Sequence, residues 1–541
     1  MDHACDMPRQ HKYRHCCLLV CVLAVFSVGI TKASGSHPYR PFVITVTDAE
    51  TGRPVPLVEL TTVNKITYDT DKNGKIAFLE PGLMDTGDVY FHIQSPHGYE
   101  AIKTDGFGNR GKVFQPTSGG TATFTLIPKQ TAGNPPTYSR RQQYRLDHLY
   151  NTTCATYQPF AIRVQDRDTG RGVPLVELRT DEDVTYYTDS AGYIAFYEPD
   201  LMDQPVPFRV KSFGYTLPSE TVTLTATSGG SAEIEVRRIN IAERLYRITG
   251  GGIYRDSVLL EKPVPLQAPL LCGRVLGQDT VAMTAYRDKL FWLWGDTDQV
   301  AYPLGNFKTS SAVSLPPGKG GLAPDVGIDL KYYVNDKGFC KPMFPHPKPG
   351  LIWMGTLTTV KDAAGEHLIG SYSRLNSDMK ILESGMAVFN DTSETFETLV
   401  VFQPGHHIRP SGQAFQKDGY IYVNCPTPAI RLRADLAAIR DPNTFEAFTC
   451  LMPNTGFDGD KTRLQRNAKG ELVWDWKRNT APLNDDRWRT FLESGLVTAE
   501  ETFNGVTDVM TKKPIRIHFG SASYNPYKRC WIMVFNESFG R

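Results

Sequence analysis

The chain has 541 residues, too many for one ordinary domain and enough for about three. Its 59 basic and 58 acidic residues leave a formal charge of +1, which excludes the basic field expected of a nucleic-acid binder. Aromatic residues make up 11%, and 46 Gly and 37 Pro are scattered as turn punctuation, a composition of many short strands joined by turns.

Residues 1–35 read as an export signal. Arg9, Lys12 and Arg14 form a basic start, Cys16 to Ile30 is an almost unbroken apolar run, and Ala33, Ser34 and Gly35 offer a cleavage site. The run is about 15 residues, short of the roughly 20 needed to span a bilayer as a helix. A signal-anchor that stays attached is the alternative. No later stretch is apolar enough to cross a membrane, so the expected location is secreted, with no integral span after signal removal. Cys5, Cys16, Cys17 and Cys21 leave with the signal, and Cys154, Cys272, Cys340, Cys425, Cys450 and Cys530 remain. In an oxidising compartment these six allow three disulfides of open connectivity, and none is spaced as a zinc ligand set. N-glycosylation triplets begin at Asn151, Asn390 and Asn536.

An internal repeat follows. TGRPVPLVELTT at 51–62 recurs as TGRGVPLVELRT at 169–180, and TDKNGKIAFLEPGLMD at 70–85 as TDSAGYIAFYEPDLMD at 188–203. The TSGG turns at 117–120 and 227–230 are closer together than those pairs, so the first copy carries an insertion. Phe42, Ile44 and Val46 alternate with polar neighbours, as do Phe160, Ile162 and Val164, the period of a half-buried strand. Each copy is expected to be a small β-sandwich, at 38–128 and 159–238, with 129–158 as an exposed linker holding Pro135-Pro136. The pattern resembles the transthyretin-like or carboxypeptidase-regulatory-like modules of extracellular enzymes, which serve as spacers, stabilisers or carbohydrate contacts. The repeated Glu59/Glu177 and Asp71/Asp189 read as strand-face residues and turn caps rather than calcium ligands. Ile241 to Ile248 has the pattern of a short helix ended by Gly250-Gly251-Gly252. Those glycines lack GxGxxG spacing, so no dinucleotide cofactor is implied.

From 255 to 541 short hydrophobic runs recur between turns, among them Leu290–Trp294, Leu351–Leu357, Met386–Phe389 and Trp531–Phe535. The helical patches are Ala434–Arg440 and Asp486–Ser494. Radial repetition of sheets, a β-propeller, is the economical reading, and a large sandwich the alternative. About a dozen strands are legible where five four-stranded blades need about twenty. The expected fold class is therefore all-β: two sandwich modules and a propeller missing its last blade or blades.

The segment Lys289-Leu-Phe-Trp-Leu-Trp-Gly-Asp-Thr-Asp298 carries the most chemistry. Asp296 and Asp298 stand two apart at the end of an aromatic strand, so both project from one face. LFWLWGDT resembles the first blade of five-bladed propeller glycosidases, closest to a poorly characterised secreted group that includes arabinan-degrading members. The resemblance implies two carboxyl groups, one a base or nucleophile and one a proton donor. Carried onto this chain, Asp296 is the first carboxylate with Asp298 in support, and Glu383 is the candidate acid. Trp294, His406 and Arg409 are candidate glycan contacts, with ordinary packing or turn exposure as their plain alternative. The expected function is a secreted glycoside hydrolase or glycan-binding propeller acting on a glycan or polysaccharide, without a metal or cofactor. A non-enzymatic extracellular adhesion or recognition protein is the alternative.

Overall fold

The computed structural model describes residues 40–537 apart from 104–107, 130–157, 182, 197, 199–200, 218, 425–426 and 502–504. The expected signal, most of the linker, Asn151, Cys154 and Cys425 lie outside the described residues. The protein is all-β, 42% strand and 7% helix, with several small sheets and no closed barrel among the described residues.

Each copy of the repeat forms two facing sheets. In the first, Phe42–Asp48 sits between Lys75–Phe78 and Thr121–Leu126, opposite a sheet built from Glu59–Thr62, Thr67–Asp69, Val89–Gln94 and Gly111–Phe114. The alternating Phe42, Ile44 and Val46 point into a core shared with Leu60, Phe78, Phe91 and Phe124. The second copy repeats this, with Phe160–Asp166 pairing in parallel with Ser231–Arg238 as Phe42–Asp48 pairs with Thr121–Leu126. Asp71 and Asp189 cap their turns, each Oδ1 accepting two backbone N–H groups, from Asn73 and Lys75 in one copy and from Ala191 and Tyr193 in the other.

The helix expected at Ile241–Ile248 does not form. Arg244 donates to the carbonyls of Pro174, Leu175 and Phe213, which ties this stretch along the second module in an irregular path. A short helix forms instead beyond the glycines, at Arg255–Leu259, where buried charge joins both modules. Arg255 donates through Nε and Nη2 to both oxygens of Glu80, at 2.5 and 2.9 Å. Asp256 accepts from Ala195 N at 2.8 Å, and Asp189 accepts from Ser257 N at 2.7 Å. Leu276 and Val300 complete the first module's core.

Beyond this clasp come three antiparallel meanders in chain order. The first runs Val281–Tyr286, Lys289–Trp294, Ser310–Ser314, Lys331–Tyr332; the second Leu351–Asp362, Gly365–Leu375, Ile381–Asn390, Thr395–Val401. The third is five-stranded, from Phe415–Lys417 to Asp475–Arg478, and a hairpin of Ile517–Asn525 and Cys530–Glu537 follows. Lys289–Trp294 is buried on both faces, Phe291 and Leu293 in one core and Trp292 and Trp294 in another, so its run is continuous rather than alternating. The helical patches are Leu436–Ile439 and Asp485–Glu493, capped by Asp435 and Asn484.

The three-disulfide framework is corrected. Among the described residues Cys272, Cys340, Cys450 and Cys530 are free thiols, and no disulfide is formed.

Candidate functional site

The strand Lys289–Trp294 ends at Gly295, and the chain turns there because Asp279 lies against it. A Cβ on Gly295 would stand 2.6 Å from Asp279 Oδ1, so any larger residue there would have to displace the Asp279 carboxylate. Asp279 and Asp296 bond reciprocally through the backbone. Asp296 N donates to Asp279 Oδ1 at 3.0 Å, and Asp279 N donates to Asp296 O at 3.1 Å. Asp298 follows on the short strand Thr297–Gln299, whose pairing partner strand is Val275–Gln278. Three carboxyl groups thus gather at the mouth of the first meander, two from one strand end and Asp279 from the start of the strand beside it.

Electrostatics separates them. Burial raises the Asp296 carboxyl above the usual range, Asp279 and then Asp298 add to the rise, and the Trp353 indole against it pulls the other way. Its Oδ1 is shut off from solvent and meets no donor among the described residues. Asp298 is exposed; partial withdrawal from water raises its carboxyl, Lys65 of the first module lowers it, and Asp279 raises it. Behind the cluster a polar relay holds the strand ends. Thr297 and Ser310 share a hydroxyl contact of 2.9 Å, Gln278 donates to both, and Tyr332 donates to Gln278 at 2.6 Å. Gln413, in the connection to the third meander, reaches Val281 O at 2.8 Å.

Glu383 lies elsewhere. Ile352, Arg374 and Glu383 are lateral neighbours across the second meander, and Trp353, Ser373 and Ser384 form the next row. Adjacent rows point to opposite faces, so Glu383 faces away from the side of the sheet that carries Trp353. Its carboxylate accepts from His346 Nε2, Lys348 Nζ and Tyr372 OH, each at 2.9 Å, with Arg374 at 3.6 Å. Burial alone would raise this group. The hydrogen bonds from Lys348 and Tyr372 and the charges of His346 and Lys348 override it and hold the carboxyl at about 2. A carboxylate held ionised in this way belongs to an ion-pair network of its own, apart from Asp296.

Trp294, expected as a glycan contact, is a packed residue. It is 3% exposed, stacked on Trp292 at 6.0 Å and packed on Tyr332. His406 sits between Phe402 and Phe445, and burial, then Arg409 and His407, lower its pKa. Its Nε2 is buried without a partner among the described residues, while Arg409 is exposed on the same connection. Asn390 lies at the turn after Ile381–Asn390 with its amide donating to Glu397, and Asn536 is exposed in the hairpin. Among the described residues no group of three or more His, Cys, Asp or Glu converges to hold a metal ion. Sequence reading overlooked Asp279, Lys65 and Gln413. Only Asp279 left a signal, as the turn residue one strand before the LFWLWGDT segment.

No protein-family model matches the chain, and no curated protein matches it. Partial likenesses occur among solved structures. The TIE protein of Bacillus anthracis is 15% identical over 37% of this chain and 34% of its own, with a TM-score of 0.13. The shaft pilin SpaA of Lactobacillus rhamnosus is 9% identical over 38% of this chain and 99% of its own, with a TM-score of 0.14. The minor pilin of Streptococcus agalactiae is 11% identical over 38% and 100%, with a TM-score of 0.13. At these scores the likenesses carry no argument about function. Among the described residues no helix is long and apolar enough to cross a membrane, which says nothing of a β-barrel.

Proposed function

We propose that the protein is a secreted carbohydrate-active protein whose meanders are successive blades of a β-propeller and whose Asp279–Asp296 pair cleaves a glycosidic bond. Support comes first from one observation: Asp296 has a desolvated, partnerless Oδ1 and a raised carboxyl beside a second carboxylate. A raised carboxylic acid is the group that protonates a leaving oxygen, and a neighbouring carboxylate is the group that activates water or attacks the sugar. In this reading Asp296 is the proton donor, Asp279 the partner carboxylate, Asp298 a support, and Trp353 a wall of the site. The charge balance near zero leaves the acidic mouth as a local feature rather than part of a general field.

The test is hydrolysis of a panel of arabinan and related polysaccharides by the chain, followed as reducing sugar released. Asp279→Asn and Asp296→Asn are each expected to lower the rate at least 100-fold with the melting temperature unchanged, the scale of a lost general acid or base. Glu383→Gln is expected to keep activity at a temperature where it stays folded. Release that persists in both aspartate variants, or its absence across the panel, overturns the catalytic reading.

A further inference from the structure

Asp298 sits on the middle strand of a three-stranded sheet, Val275–Gln278, Thr297–Gln299 and Gly305–Asn306, and both residues paired with it are glycines, Gly277 and Gly305. Paired residues of antiparallel strands present their Cβ positions on one face, so the Asp298 carboxyl stands there with no side chain on either flank. A Cβ on Gly305 would lie 2.8 Å from Thr297 O and 3.4 Å from the Phe307 ring, so the backbone itself demands glycine at that position. Gly277 is different. A Cβ there would meet only Asp298 Oδ2, at 4.0 Å, which is room for a side chain that the sequence does not supply. Glycine inside a strand forfeits packing, and it recurs at bulges and where a ligand approaches the backbone closely. The exposed Asp298 carboxyl and the Phe307 ring, 51% exposed, border this bare patch.

The first module is fastened beside the patch. Arg274 donates to the carbonyls of Thr86 and Asp88, and Tyr90 N donates to Val300 O at 2.8 Å. Thr62 pairs with Phe91, next to Tyr90, so the turn after Thr62 reaches the same end of the module. That turn carries Lys65, exposed and at a φ of 66°. The turn does not require a cation, since the corresponding turn of the second copy carries Asp183 at a φ of 65°. Lys65 is near enough to act on Asp298, yet neither side chain has a hydrogen-bond or ion-pair partner among the described residues. A group with donors only and a group with acceptors only thus stand within electrostatic reach of each other across a gap.

We propose that this patch is a subsite for a neutral sugar unit, its ring against Phe307 and two adjacent hydroxyls held between Lys65 and Asp298. A vicinal diol fits such a gap. One of its oxygens accepts from the ammonium, the neighbouring hydroxyl donates to the carboxylate, and both bonds are charge-assisted. The aromatic ring covers the apolar face that a sugar presents beside its polar edge. An acidic unit would satisfy Lys65 but would be repelled by Asp298, Asp296 and Asp279, which favours the neutral class. Asp298 lies two residues from Asp296, so the unit held here adjoins the bond to be cut, and the first module becomes part of the binding site instead of a spacer. The inference deepens the carbohydrate reading and rests on it for the ligand class, but not on catalysis.

The experiment is calorimetric titration of the chain with an arabinofuranose trisaccharide, with its 2-deoxy analogue and with a galacturonic acid trisaccharide. The neutral trisaccharide is expected to bind, and the other two about tenfold more weakly, the scale of one charge-assisted hydrogen bond. Lys65→Met and Asp298→Ala are each expected to weaken the neutral sugar about tenfold, with the melting temperature unchanged because both side chains are exposed. The double variant should fall no more than about threefold below the weaker single one, since either loss breaks the same two-point grip. Gly277→Val, which fills the bare patch, is expected to abolish binding. Asp296→Asn is expected to keep it, so failure of hydrolysis and failure of this site are read separately. No binding by the parent chain, equal binding of the 2-deoxy analogue, tighter binding of the acidic sugar, or full binding by Lys65→Met or Asp298→Ala overturns the proposal.

Discussion

At the scale of single residues, carboxylates of similar appearance in the sequence have opposite environments. Asp296 keeps one buried oxygen without a donor and is crowded by Asp279, and burial raises its carboxyl above the usual range in spite of Trp353. Glu383 is saturated with donors and holds its charge down to about pH 2. The second case makes a stability prediction. Its folded pKa lies below the unfolded value of about 4.3, so its contribution is present above that value and is lost as pH falls from about 4 towards 2. Glu383→Gln, which leaves His346, Lys348 and Arg374 without their anion, should cost about 1–3 kcal/mol at pH 7. Chemical denaturation at pH 7 and pH 2.5 checks this, and the gap between parent and variant should narrow at the lower pH.

At the scale of elements, the helix Arg255–Leu259 is too short to stand on propensity and exists because its first turn meets both modules. Burial pushes Asp256 up to about 6, against the lowering effect of Arg255, with Asp189 adding to the rise. Here the folded pKa lies above the unfolded one, so the stabilising contribution is complete below about pH 4 and is lost as pH rises through about 6. Asp256→Asn should remove that component, giving a melting temperature that changes less between pH 4 and pH 7 than the parent's. An unchanged pH profile in the variant would show that Asp256 is not the titrating group.

At the scale of the molecule, the first module shares its core with the segments at 276 and 300, and buried charge at Arg255–Leu259 ties both modules together. Leu276 and Val300 lie in the first module's core, and Tyr90 N donates to Val300 O at 2.8 Å. Glu80 and Arg255 form a buried pair across this junction, with Glu80 3% exposed at its side chain. Removing one member of such a pair leaves a buried charge and costs about 3–5 kcal/mol. Arg255→Ala should therefore lower the melting temperature and separate the calorimetric transition into two, a module step and a meander step. A single transition shifted as a whole would mean that the shared apolar cores alone couple the parts.

Local pattern was enough to reveal the duplicated modules, because a half-buried strand must alternate and a tight turn must be Asp- or Gly-rich. It also marked the LFWLWGDT strand and Asp296, since a run of aromatic residues ending in Gly-Asp-Thr is visible without any partner. Short strands such as Val281–Tyr286 and Ser310–Ser314 went unmarked, as their mixed composition acquires meaning only between Trp292 and its neighbours. Pairing of carboxyls lay beyond the sequence for the same reason. Asp279 joins Asp296 through the register of two strands, Glu383 faces away from Trp353 by one residue in the register of the second meander, and Lys65 arrives from a different module. Composition and periodicity mark the strands and turns whose pattern is carried by neighbours in the chain. Which charges meet depends on neighbours in space, and only the tertiary structure decides that.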